Sequence, residues 1–237
     1  MSDAATGCRH KIIHGDGLEF IKTTGGYFDT VFLDPPDNIG LKYDGHKDKM
    51  DDYFGWLDDM IFYAIHAAEM LWLSFNSKHT LEVAHIVRER QWECLPCIQT
   101  FTFGQHNQKD LGNSYRQLWR LSGDKRQLYP DAIRVQSWRQ KNGDKRADPR
   151  GRVPNDVFDF PRVTGNSKQR RAWHPTQLHE GLVERCLKLT TPPGGTVLDP
   201  CAGTGTTLRV CKRLGFECTL VEKSETYYKK LMEEHGV

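Results

Sequence analysis

At Thr30-Val31-Phe32-Leu33-Asp34-Pro35-Pro36-Asp37 an apolar run stops at an acid, two prolines follow, and a second acid comes next. Pro-Pro ends a strand by itself, because proline lacks an N–H, fixes φ and keeps the preceding residue extended. The same stiffness delivers the Asp34 carboxylate into a turn. A second acid-ended run, Val197-Leu198-Asp199, opens Pro200-Cys201-Ala202-Gly203-Thr204-Gly205-Thr206-Thr207. Glycines between a strand and a helix let the backbone approach a ligand and leave N–H groups facing it. An acid at that strand end suits a cationic or hydroxylated ligand better than a pyrophosphate. The next run, Cys218-Thr219-Leu220-Val221-Glu222, also ends in an acid, about twenty residues after the Gly-rich turn. That is where α/β folds place a carboxylate on ribose hydroxyls, so a nucleoside-bearing ligand follows, while the missing third glycine argues against a dinucleotide. Trp173-His174-Pro175-Thr176-Gln177 opens a further helix, and taken alone Thr176 or Gln177 there reads as a cap.

The elements that must position these groups alternate. Lys11 to His14 and Thr30 to Leu33 read as short strands, and Phe54 to Met70 as a helix, with Trp56, Met60, Tyr63, Ala67 and Met70 at helical spacing. Leu71 to Phe75, Cys94 to Phe103 and Tyr115 to Leu121 read as strands, with a helix at Thr80 to Arg90. From Ser122 to Arg171, Gly, Pro, Asp and Arg dominate and periodicity fades, as in an insertion of loops and short elements. Order returns with helices at Leu178 to Leu189, Thr206 to Leu214 and Glu225 to Glu234, and strands at Thr196 to Leu198 and Glu217 to Glu222. Strands alternating with helices on both sides of an insertion mean an α/β fold with a mostly parallel sheet.

The chain has 237 residues, 38% hydrophobic and 27% charged, which is a soluble globular composition with room for one large core. The start carries no apolar segment of a secretory signal, and the longest apolar stretch, Met60 to Phe75, is broken by His66 and Glu69. A cytoplasmic protein with no membrane partner is expected. Seven cysteines without framework spacing fit a reducing compartment. Cys94 and Cys97 lack a matching ligand pair, so buried thiols are expected there and no metal. Net charge is +2, but residues 105–172 carry +9, leaving −7 for the remainder. That asymmetry predicts a polyanion met by one segment.

Together, Asp-Pro-Pro early, His-Pro-Thr-Gln late and Asp-Pro-Cys-Ala-Gly-Thr-Gly-Thr-Thr after it closely resemble the amino-methylating DNA methyltransferases that use S-adenosylmethionine. The order is similar to their circularly permuted β group. The resemblance spans Ile12 to Leu231. It implies a doubly wound, Rossmann-like methyltransferase sheet. Residues 1–104 would be the catalytic half, 105–172 an inserted target-recognition segment, and 173–237 the cofactor half. It also implies that Asp199, Pro200, Cys201, Ala202, Gly203, Thr204, Gly205 and Thr206 line the cofactor pocket, with Glu222 on the ribose. His174, Pro175, Thr176 and Gln177 would approach the methionine end. His14-Gly15-Asp16 resembles the family's Gly-Asp element and puts Asp16 near adenine.

Asp34, Pro35, Pro36 and Asp37 match the catalytic tetrapeptide. In the doubly wound sheet the strands ending at Asp34 and Asp199 would be neighbours at the switch point. A nucleobase amine is a poor nucleophile, its lone pair delocalised into the ring. The Asp34 carboxylate and the Pro35 carbonyl could each accept one N–H bond and stabilise charge developing on nitrogen. The base must leave the duplex to reach them. Asp37 departs from the family, whose residue there is usually an aromatic that stacks on the base. Tyr43, Tyr53, Trp56 and Trp173 are the rings that could replace it, with Trp173 ranked first. Asp at the first position favours adenine N6 over cytosine N4 within the family. DNA contacts are expected at Arg146, Arg150, Arg152, Arg170 and Arg171. A cytosine N4 enzyme, an RNA substrate, a catalytically impaired DNA-binding homologue and a dinucleotide oxidoreductase are the rival readings. A second copy of the chain as partner is left open.

Overall fold

The computed structural model describes residues 9–44, 46–102, 107–122 and 127–236. Its elements are β1 (His10–His14), α1 (Gly17–Thr23), β2 (Phe28–Leu33), β3 (Lys42–Tyr43), β4 (His46–Lys47), α2 (Tyr53–His66), β5 (Ala68–Phe75) and α3 (Thr80–Glu89). There follow β6 (Glu93–Leu95), β7 (Ile98–Thr100), β8 (Tyr115–Ser122), α4 (Trp138–Lys141), β9 (Val157–Asp159) and α5 (Glu180–Thr190). The chain closes with β10 (Thr196–Asp199), α6 (Thr206–Leu214), β11 (Glu217–Glu222) and α7 (Glu225–His235).

One sheet runs β1-β11-β10-β2-β5-β8-β7-β9, with β6 also on β8. From β1 to β5 every neighbour is parallel, and β8 then runs antiparallel to β5. The strands are buried on both faces, so their side chains divide by the period of two. Val31, Leu33, Leu71 and Leu73 pack with α1, α2 and α3. Phe32, Trp72, Val197 and Leu220 pack with α5, α6 and α7. This is the mostly parallel α/β sheet that the alternation predicts, doubly wound as the resemblance implies.

Three expectations shift. The helix predicted over Phe54 to Met70 stops at His66, and Ala68 to Met70 belong to β5. Ala68 and Met70 face Phe28 and Thr30 across the sheet, and a fully buried strand has no polar face to mark where a buried helix ends. The strand predicted from Cys94 divides around Pro96 into β6 and β7, both paired to β8, and its expected end at Phe103 lies outside the described residues. The basic stretch 105–172 contributes β8 and β9 to the sheet itself, so within the described residues its off-sheet parts are 107–114, 127–156 and 160–172. The expected boundary at 104–105 lies outside the described residues. Among the described residues no helix is long and apolar enough to cross a membrane.

Candidate active site

β2 and β10 are direct neighbours, with Leu198 opposite Val31. Their C-terminal ends present Asp34 and Asp199 to a single crevice, the position where parallel sheets bind ligands. The crevice is a cavity of about 840 Å³. Asp34, Pro35, Pro36 and Asp37 line it from one half of the chain, and Asp199, Pro200, Cys201, Ala202, Gly203, Thr204 and Thr206 from the other. Asp16, His174, Pro175, Thr176, Gln177 and Glu222 complete the wall.

Gly205 does not reach that wall. It caps α6 at φ 70°, donates its N–H to the Ala202 carbonyl at 2.8 Å, and leaves no room for a Cβ, which would meet Leu231 at 2.6 Å. The expected pocket residue is therefore a turn residue behind the pocket.

Hydrogen bonds hold the Gly-rich turn to both neighbouring acids. Asp199 accepts from the Cys201 N–H at 3.0 Å and from the Thr207 hydroxyl at 2.6 Å. Burial pushes its carboxyl up to about 7, against those two donors. Glu222 accepts from the Gly203 N–H and the Ser224 N–H, each at 2.8 Å, and burial raises its pKa too. Asp16 caps α1 through the Leu18 N–H at 2.9 Å and meets Lys223 at 3.0 Å. Burial pushes the Asp16 carboxyl up, but Lys223 and the helix N–H groups outweigh it and hold the carboxyl low. His14 pairs with Glu222 across β1 and β11, which brings Asp16 beside the ribose-type acid.

The Trp173 to Gln177 turn does not cap α5, which His179 caps instead. The His174 ring is buried against the Thr176 carbonyl, and burial pushes its pKa down to about 4. Gln177 accepts from the Arg171 N–H at 2.9 Å and donates to the Gln169 carbonyl at 2.6 Å, tying this turn to the chain before it.

Two of the arginines expected at DNA make contacts within the chain. Arg170 donates to the His174 carbonyl at 2.7 Å, and the Arg171 side chain is bound two-pronged to Glu234 on α7. The first contact braces the His174 turn and the second the last helix. Arg146 and Arg150 remain exposed, each on a local acid, Asp144 at 2.9 Å and Asp148 at 3.1 Å. Arg152 is exposed beside them.

Asp37 is held by a distant strand. Both of its oxygens accept from one nitrogen of Arg116, at 2.8 and 2.9 Å, and only 9% of the residue is exposed. It lies on the cavity wall as a largely buried partner of Arg116 on β8. Of the four candidate rings, Tyr43 and Trp56 line the cavity. Tyr53 is 2% exposed and donates to the Pro36 carbonyl at 2.8 Å, so it braces the Pro-Pro turn from below. Trp173, ranked first, packs instead on His174 and Tyr227 and is not part of the cavity wall.

Residues 28–233 match the DNA methylase family of N6/N4 methyltransferases. The chain belongs to that family. The type II methyltransferase M.ScaI of Streptomyces caespitosus is 26% identical across 91% of this chain and 78% of its own. The DNA adenine methyltransferase YhdJ of Escherichia coli K12 is 30% identical across 92% of this chain and 80% of its own. Among solved structures, the cytosine-N4-specific PvuII DNA methyltransferase superposes with a TM-score of 0.71 at 13% identity, over 93% of this chain and 84% of its own. The M1.HpyAVI complex with S-adenosylmethionine gives 0.66 at 16% identity, over 96% and 99%. The family's methyl donor is S-adenosylmethionine. The cavity suits it: the volume falls within the roughly 300–1,000 Å³ of small-ligand sites, and Glu222 and Asp16 place carboxylates on its wall, where they could meet hydroxyl and amine groups.

Two residues of this DNA methylase site escape a sequence reading. Arg116 lies in a strand 82 residues from Asp34, and no local pattern pairs the two. Gly17 follows Asp16, and a Cβ there would lie 2.1 Å from the Pro200 carbonyl oxygen, on the cavity wall. Overpacking of this kind typically costs about 1–3 kcal/mol. Gly17→Ala is expected to lose that much stability in chemical denaturation and to weaken S-adenosylmethionine binding in calorimetry. Gly15→Ala, whose Cβ would meet nothing within 4 Å, is expected to change neither.

Proposed function

We propose that this DNA methyltransferase acts on the N6 amine of adenine in DNA. The observation that carries the reading is the meeting of Asp34-Pro35-Pro36 with the Gly-rich turn on one cavity. Asp at the head of the tetrapeptide and the likeness to an adenine methyltransferase favour adenine over cytosine. S-adenosylmethionine, when bound, supplies an electrophilic methyl group on a sulfonium. Asp34 accepts one N–H of the amine and the Pro35 carbonyl the other, which turns the nitrogen lone pair toward that methyl. As nitrogen gains positive charge, the Asp34 carboxylate stabilises it and stands ready for the proton that must leave. The turn is stiff because Tyr53 holds the Pro36 carbonyl and His79 donates to the Asp37 carbonyl at 2.7 Å. Tyr43 and Trp56 are the rings on which an extruded base stacks, an interaction worth roughly 1–3 kcal/mol per base. We place the protein in the cytoplasm, with its DNA.

Thermal shift tests the cofactor half. A ligand that binds only the native state at about a hundred times its Kd adds roughly 2.7 kcal/mol. S-adenosylmethionine or its demethylated product is expected to raise Tm, and a nicotinamide dinucleotide is not. A shift with the dinucleotide alone would end the methyltransferase reading.

DNA binding belongs to the exposed basic residues of 127–156. Replacing Arg146, Arg150 and Arg152 together is expected to weaken it. The slope of log affinity against log salt should flatten by roughly 0.9 for each phosphate that is no longer neutralised. An unchanged slope in fluorescence anisotropy would assign these arginines to a solvated loop.

A further inference from the structure

The guanidinium of Arg116 fills the floor of the cavity between the two acids of the tetrapeptide. An arginine has five N–H donors on three nitrogens, and here each nitrogen has an acceptor. Nε donates to the Ser74 hydroxyl at 2.7 Å. Nη1 donates to both oxygens of Asp37, at 2.8 and 2.9 Å. Nη2 donates to Oδ1 of Asp34 at 2.8 Å and to the Ser74 carbonyl at 3.4 Å. One nitrogen of three therefore reaches Asp34, and it reaches one oxygen.

That division is not what an arginine beside a carboxylate ordinarily does. The preferred geometry is a fork, two parallel N–H bonds covering both oxygens. A fork on Asp34 would occupy the acceptors that a base amine needs. An aromatic at position 37 could not prevent it, whereas Asp37 draws Nη1 away and Ser74 draws Nε. Asp34 is thus oriented by Arg116 without being forked by it, the Ser74 side chain also bonds its carboxyl, and 29% of its side-chain surface stays exposed.

We propose that Arg116 is a positioning residue that aims Asp34 at the base amine, and that Asp37 and Ser74 keep Arg116 from capping both Asp34 oxygens. This rests on the function proposed above. Asp37 here is a restraint on an arginine, and the stacking ring lies elsewhere on the wall. Arg116 acts on the reaction through Asp34.

The test is a double-mutant cycle on the full chain, read as kcat and KM for methyl transfer to DNA alongside S-adenosylmethionine affinity. Asp37→Ala releases Nη1, Arg116 closes on both oxygens of Asp34, and kcat is expected to fall at least tenfold while KM for the cofactor holds. Arg116→Gln alone is expected to lower kcat, because Asp34 loses its orientation. In the Asp37→Ala background, however, Arg116→Gln is expected to raise kcat about tenfold, because it uncovers Asp34. A structural role for the pair would give no such reversal of sign. Should Asp37→Ala fail to fold, Asp37→Asn with and without Arg116→Gln asks the same question in a milder background, and the same reversal is expected. A double variant slower than its Asp37 single variant overturns the inference and leaves the proposed function standing. A wild-type chain that binds S-adenosylmethionine but methylates no nucleic acid defeats the proposed function, and this inference with it.

Discussion

Asp34→Ala is expected to abolish methyl transfer while leaving S-adenosylmethionine affinity nearly unchanged. The carboxylate faces the cavity from the end of β2, and its hydrogen-bonded partner is Arg116, not a group of the Gly-rich turn. Loss of a preorganised partner for transition-state charge typically costs on the order of 10²–10³ in rate. The fold should tolerate the change. Arg116 keeps Asp37 as counter-ion through both carboxylate oxygens, so no buried charge is orphaned. Burial works against the charge on Arg116, and Asp37 and Asp34 together outweigh it. Single-turnover transfer and calorimetric titration of the cofactor separate the two effects. Unchanged turnover would remove Asp34 from the chemistry, and a large loss of affinity would move it to the cofactor pocket.

The second large effect is a loss of stability in mild acid that runs through His174. Its ring is 7% exposed, and burial pushes its pKa down to about 4, against the bond to the Thr176 carbonyl. In the unfolded chain the same imidazole titrates near ~6.5. Above that pH both states are neutral and the group contributes no pH dependence. As pH falls from 6.5 toward 4, the unfolded chain takes up a proton that the folded chain refuses, and stability drops. The full cost, about 3 kcal/mol, is reached below the folded pKa. Buried Asp199 and Glu222, whose carboxyls are raised, work in the opposite direction, so the comparison must be with a variant. Denaturant unfolding of wild type and His174→Gln between pH 7 and 4.5 is expected to show a steeper decline for wild type. Parallel curves would show that the ring takes up its proton without cost in the folded state.

The parts of this molecule carried by short-range pattern can be read from its sequence. Acid-ended apolar runs, a Gly-rich turn and helical spacing place β2, β10, β11, α6 and α7, and through them the crevice. Reading failed where a property depends on a distant partner. A strand buried on both faces, Ala68 to Phe75, has no polar rhythm to separate it from the helix before it. Gln169-Arg170-Arg171 has the composition of a phosphate-binding loop, yet Glu234, from the last helix, takes Arg171. Asp37 looks like a lost stacking residue until β8 brings Arg116 to it across 79 residues. Trp173 adjoins the His-Pro-Thr-Gln turn in sequence, yet its ring packs on His174 and Tyr227 and leaves the cavity wall to them.

The central claim is that the Asp34 turn and the Gly-rich turn form one site for methylating a base amine of DNA. Its most direct test is nucleoside mass spectrometry of DNA incubated with the wild-type protein and methyl-labelled S-adenosylmethionine. The label is predicted in N6-methyldeoxyadenosine, and absent from the Asp34→Ala reaction. Label in N4-methyldeoxycytidine would contradict the assignment of the base. Label in RNA alone, or in no nucleoside while the cofactor binds, would contradict the claim itself.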